Sequence, residues 1–214
     1  SLDANTTASN NTAVGYSSMS TNTTGSRNVA MGRNALEYNL TGDDNSAFGY
    51  GALSSNTTGL TNVAMGRDAL KTNTTAANGI AFGYRSLYSN TTGASNIGIG
   101  SCTLFSNTTG TNNVAIGKDS LGPNTTGGGN SAVGIASLGS GGESGLVLTT
   151  GSFNIALGQN STHSGSGVAR EIVIGYDEIG KGSDTGFLDG SSGVFNKANA
   201  TAWSQTSDRR IKKN

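Results

Sequence analysis

Apolar residues return along this chain at a fixed interval of 17 residues. An alternating pattern, Asn-x-Ala-x-Gly, starts at Asn11, Asn28, Asn45 and Asn62. It continues at Gly79 (Gly for Asn), at Asn96 (Gly98 for Ala), and at Asn113 and Asn130. A long apolar residue follows in the same register: Met19, then Leu36, Leu53, Leu70, Leu87, Leu104, Leu121 and Leu138. Asn-Thr-Thr-Gly closes the unit at 22–25, 56–59, 90–93, 107–110 and 124–127, with one-residue variants at 39–42 and 73–76. After Leu138 the register slips by seven residues, and a Gly-rich stretch at 139–147 reads as a loop bulging from one coil. The pattern resumes at Asn154 and ends in a degenerate unit that begins at Glu171.

The alternation places Val29 and Met31 on one side of a strand, and Asn28 and Ala30 on the other. The Met31 position is apolar in all ten units (Val14, Met31, Phe48, Met65, Phe82, Ile99, Ile116, Val133, Leu157, Ile174). That constancy predicts a buried column. The alanine column is kept small, which predicts close approach of another backbone, from the facing strand or a neighbouring chain. The motif glycine suits a turn with positive φ, and Asn-Thr-Thr-Gly is turn chemistry. The repeated motif is carried by Asn28, Ala30 and Gly32; Asn45, Ala47 and Gly49; Asn62, Ala64 and Gly66; and Asn113, Ala115 and Gly117.

A unit of two short strands and two turns cannot bury its own apolar residues, but stacked units can. The predicted fold is therefore all-β, a parallel β-solenoid (β-roll) of 17-residue coils. After the motif glycine come Tyr16, Arg33, Tyr50, Arg67 and Tyr84, an alternation that predicts a cation–π ladder along the stack.

Composition narrows the function. The chain of 214 residues has 34 Gly, one Pro, and 13 basic against 13 acidic residues, so it shows no electrostatic footprint for nucleic acid. Arg209, Arg210, Lys212 and Lys213 form only a short basic tail. There is no run of apolar residues long enough to predict membrane insertion. Cys102, the single cysteine, excludes an intrachain disulfide. It shares a column with Ser17, Asn34, Asp68 and Arg85 that is expected to be exposed. His163 is also alone, and no metal or cofactor is expected. The recurrent Asn-Thr-Thr sequons follow the structural period and read as turns. Carboxylates such as Asp43, Asp44, Asp177 and Glu178 are sparse and read as surface groups. A polysaccharide depolymerase site between subunits is a minor alternative, and an ice-binding threonine face is another. The chain starts without Met, in mid-pattern, and reads as a fragment.

The Asn-x-Ala-x-Gly units resemble the repeats of trimeric autotransporter adhesin heads, and the same pattern recurs in phage fibre shafts. The resemblance implies a left-handed β-roll that assembles as a homotrimer. The unit of 17 is longer than the common adhesin unit, which implies a widened turn. At the C-terminus, Ser207, Asp208, Arg210 and Lys212 match the Ser-Asp-x-Arg-x-Lys signature that opens the intramolecular chaperone domain of phage endosialidases and related tailspikes. That resemblance implies self-cleavage in the full-length precursor, with Ser207 as nucleophile and Lys212 as its base. A lysine can activate a serine in this way.

Together the two resemblances imply a virion tail-fibre or tailspike shaft for host attachment, partnered by itself and by a host surface polysaccharide or receptor. They imply no enzyme beyond the self-cleavage. A trimeric bacterial surface adhesin head is the alternative. The expected organisation is a shaft at 1–180, a capping segment at 181–206 and the start of a truncated chaperone at 207–214. Phe187, Phe195 and Trp203 in the second segment read as cap residues or, alternatively, as receptor contacts.

Overall fold

A computed structural model describes residues 2–139, 147–188, 194–196 and 204–205. Each coil contributes one three-residue strand, from β1 (Thr12–Val14) and β2 (Val29–Met31) through to β11 (Gly186–Leu188). These eleven strands form one parallel sheet in sequence order. The pairing is in register with the repeat: Val29 lies beside Ser46, Ala30 beside Ala47, and Met31 beside Phe48. Between β8 (Ser131–Val133) and β9 (Ile155–Leu157), Ser131 pairs with Ile155 and Ala132 with Ala156. The seven extra residues there leave the ladder unbroken. At roughly 4.8 Å per step, the ten steps between these eleven strands span on the order of 50 Å.

The expected second strand of each coil is absent among the described residues. The rest of the coil is held by turns whose backbone groups bond to the coils above and below, as in Leu36 N–H to Ala52 O and Leu53 N–H to Ala69 O, both at 3.0 Å. The long apolar column that follows the strand sits in the left-handed region, with φ near +50° at Leu36, Leu53, Leu70, Leu87 and Leu104. This conformation aims each leucine inward, at a backbone cost of about 1–2 kcal/mol per residue.

The sidedness of the strand is the reverse of the expectation. Ala30, Ala47, Ala64, Ala81, Ala115 and Ala132 are fully buried, whereas Met31 is 44% and Phe82 37% exposed. The physical reason is width. A 17-residue coil encloses space for one leucine row against one row of methyl groups, so the column facing Leu36 must be small. The close neighbour of the alanine column is thus the chain's own coil. Gly98 shows how tight the fit is: a Cβ there would stand 2.5 Å from Ser86 Oγ and 2.8 Å from Thr103 Oγ1.

Two asparagine columns complete the interior. In one, Asn39, Asn56, Asn73, Asn90, Asn107 and Asn124 each donate Nδ2–H to Oδ1 of the asparagine one coil earlier, at 2.8–3.1 Å. Each also donates to the carbonyl three residues on, as Asn39 does to Gly42 O at 2.9 Å. In the other, Asn28 Oδ1 accepts the backbone N–H of Asn45 at 2.8 Å, while Asn28 Nδ2–H donates to Gly42 O. Asn-Thr-Thr-Gly is therefore core as well as turn. The first threonine of the pair also bonds along the stack, as Thr57 Oγ1–H does to Thr74 O at 3.0 Å.

At the C-terminal end, Val173 of β10 (Ile172–Ile174) lies beside Phe187 of β11, so the stack runs past residue 180. The direction then reverses. β12 (Val194–Asn196) is antiparallel to β11, and β13 (Ser204–Gln205) is antiparallel to β12. The stack thereby ends in a hairpin-like edge instead of an open parallel one.

Candidate functional site: the outer faces of the stack

With the interior filled by Leu, Ala and Asn, the chemistry available to partners lies outside. Three columns leave the strand and its turn in fixed order. The first is the apolar stripe, flanked one residue earlier by the alanine column and two earlier by Val29, Val63, Ile80, Ile97 and Val114. Val14, Met31, Met65, Phe82, Ile99, Ile116, Val133 and Leu157 are all exposed at more than a third of their surface. A continuous apolar band over ten coils is unusual for a free surface in water.

The second column is the Tyr/Arg row. The Arg33 guanidinium carbon lies 5.4 Å from the Tyr16 ring centre and 6.0 Å from that of Tyr50. Arg67 stacks on Tyr50 at 5.6 Å, and its Nε is 3.4 Å from Asp68. Tyr84 carries Arg85 at 5.1 Å, so a cation from the neighbouring column takes over there. Arg85 also stacks on Tyr88 at 5.4 Å.

The Cys102 column is half-buried, and Asp68 in it is fully buried. Its residues are left-handed, with φ of 58° at Asp68 and 56° at Cys102. Lys71 Nζ holds Asp68 at 2.9 Å, and this carboxylate keeps the lysine protonated above its ordinary range.

Asp43 and Asp44, read as plain surface groups, form a fork with Arg27. Its Nε donates to Asp44 at 2.7 Å and its Nη2 to Asp43 at 3.1 Å. The guanidinium holds the Asp44 carboxyl below the usual range. Arg170 pairs with Asp184 in the same way and lowers that carboxyl too.

The C-terminal coil differs from the rest inside. Glu171 stands where the motif asparagine would be, and its carboxylate accepts the backbone N–H of Gly182 at 2.6 Å and of Ser164 at 3.1 Å. His163 is buried beside it, and neither ring nitrogen has a hydrogen-bond partner among the other described residues. Burial pushes the His163 pKa down, and the Glu171 charge opposes this only in part. The unfolded chain therefore binds a proton near the ordinary value of about 6.5, while the folded coil resists it. Stability falls as pH drops below that value and levels off below the folded pKa. Melting curves at pH 7.5 and 5.0 are expected to show a lower midpoint at pH 5.0, and His163→Gln should narrow the gap. An unchanged gap would assign the pH effect to other groups.

Of the residues expected to bind or react, Phe187 is 4% exposed, with Lys181 Nζ 4.8 Å from its ring centre. It is buried in the last parallel strand, beside Val173. Phe195 lies in β12, and its side chain is outside the described part. Trp203, Ser207 and Lys212 lie outside the described residues altogether. The described residues contain no cluster of three or more metal-ligating side chains and no helix long and apolar enough to cross a membrane. No family model, curated protein or solved structure matches the chain.

Proposed function

We propose that this chain is the shaft of a homotrimeric fibre, of the virion tail-fibre or tailspike kind, which carries attachment to a host surface. The observation that supports it is the apolar stripe along the outer sheet face. One coil row of Val, Met, Phe and Ile exposed along most of the stack needs a cover, and three copies placed round an axis give each stripe to its neighbours. This is a heterologous arrangement that closes as a ring. The left-handed coil is taken from the adhesin-type repeats. The alanine column no longer supports trimerisation, because the chain's own leucines cover it. The stripe replaces it.

Light scattering of the folded chain is expected to give three times the chain mass of 21.4 kDa. A monomer mass would overturn the reading. The adhesin-head alternative shares the same stripe and differs in the sequence beyond residue 214. A chaperone domain there favours the fibre, and a coiled coil with a membrane barrel favours the adhesin. In the full-length fibre precursor, Ser207→Ala and Lys212→Ala are each expected to block release of the C-terminal domain while the trimer still folds. Mass spectrometry of the purified variants reads this directly, and continued cleavage at this site in both would make Ser207 an ordinary linker residue.

A further inference from the structure

A cleft opens on the outer surface where a pair of stacked rings ends. In the column after the leucines, Tyr88 and Phe105 stack face to face, 5.2 Å between ring centres and 12° apart. The next residue in that column is Gly122, so the ring stack stops and the side of Phe105 toward the next coil has no aromatic neighbour. Pro123, the only proline, follows. A cleft of about 480 Å3 lies here, lined by Arg85, Phe105, Ser106 and Asp119 among others.

The neighbouring left-handed column supplies its ends. Arg85, Cys102 and Asp119 occupy successive coils, which puts Arg85 and Asp119 roughly 9–10 Å apart along the stack. The small Cys102 lies between them as the floor. Arg85 is fixed by the rings of Tyr84 and Tyr88, and its buried Nε has no hydrogen-bond partner among the described residues. None of the ion pairs among those residues involves it. A guanidinium placed over two rings, and outside the ion pairs among the described residues, can take a carboxylate in two parallel bonds. Asp119, whose carboxylate is 3.6 Å from Lys118 Nζ, is an acceptor for hydroxyl groups at the other end.

We propose that this cleft binds a sugar residue bearing a carboxylate: the acid on Arg85, the ring against Phe105, and hydroxyls toward Ser106 and Asp119. A cation at one end and an anion at the other suit a ligand with one negative group and several hydroxyls. They do not suit a doubly charged phosphate, which Asp119 would repel. An aromatic wall with a few convergent polar groups, in a volume of this size, is the usual form of a small-ligand site. The proposal deepens the attachment reading by naming a ligand class, and rests on it for biological sense only.

The test uses the whole chain and titration calorimetry with three acidic probes: tetragalacturonate, a glucuronate-containing tetrasaccharide and a sialic acid tetramer. The methyl ester of each is the uncharged control. At least one acid should bind, and its ester about tenfold or more weaker. Arg85→Gln and Phe105→Ala should each cost about tenfold or more, with melting temperature and mass unchanged for Arg85→Gln. Phe153→Ala, at an exposed ring elsewhere, should change nothing. Failure of all three acids to bind, equal binding of acid and ester, or full binding by Arg85→Gln would each overturn the proposal. The mass measured on the same samples keeps the two questions apart. A trimer that binds no acid sinks only the cleft, and a monomer that binds sinks only the trimeric shaft.

Discussion

Asn73→Ala is expected to lower the folding stability by about 3–5 kcal/mol, although the residue belongs to a short polar turn motif. Its Nδ2–H groups reach Asn56 Oδ1 at 2.8 Å and Ala76 O at 3.1 Å, and its Oδ1 receives Asn90 Nδ2–H at 3.1 Å. All of this is out of contact with water, since Asn56 and Asn73 are fully buried and Asn90 nearly so. Alanine would leave Asn56 Oδ1 without a donor and Asn90 with one bond fewer. Each buried group so orphaned costs about 1–3 kcal/mol. The chain itself shows where such a break is tolerated. Leu148 replaces the asparagine after Asn124 at the coil that carries the insertion, and Asn124 Oδ1 has no partner there among the described residues. Thr75→Ala, on the same turn but exposed, should shift stability by no more than about 0.5 kcal/mol. Urea midpoints of the two variants against the parent check this, and similar small losses in both would mean the ladder contributes little.

The period and the class of fold were legible, because a 17-residue recurrence of apolar, small and turn-forming residues has few solutions other than stacked coils. Which side faces inward was not legible from hydrophobicity. Phe48, Met65 and Ile99 are more apolar than Ala47, Ala64 and Gly98, yet the small residues are inside. Volume was the better guide: a column held to Ala or Gly marks a narrow interior, whereas Val, Met, Phe, Ile and Leu interchange freely only where nothing fixed faces them.

The left-handed leucines also left a trace. From Met19 to Leu138 that column holds Leu and Met but no Val or Ile, and β-branched residues are the ones a positive φ excludes; where it turns to Thr162 and Ile179 the positive φ is gone. The outer column uses Val and Ile freely. The asparagine ladders were hidden because Asn is a turn residue by habit, and only the stacking of seven of them shows the second use. The cleft at Phe105 was hidden for the opposite reason. It arises in a column that does not repeat (Ser54, Lys71, Tyr88, Phe105, Gly122), and recurrence carries no information about a position that does not recur.

The apolar stripe gives the other large effect. In Phe82→Lys/Ile116→Lys the folded coil should survive, because both side chains point away from it and are already more than a third exposed. The proposed trimer should not survive. Burying a Phe or Ile side chain is worth about 1.5–3 kcal/mol, and two such sites in each of three chains add to on the order of 10 kcal/mol. Lysine also brings six like charges toward one axis, where they would be taken out of water without partners. The expected result is a monomer mass in place of a trimer mass, with the β-type circular dichroism retained. Thr92→Lys, on an exposed turn, should keep the trimer. If the double variant remained trimeric, the subunits would have to meet through another face. The Tyr/Arg row would be the next to test, because it leaves each coil only two residues after the stripe.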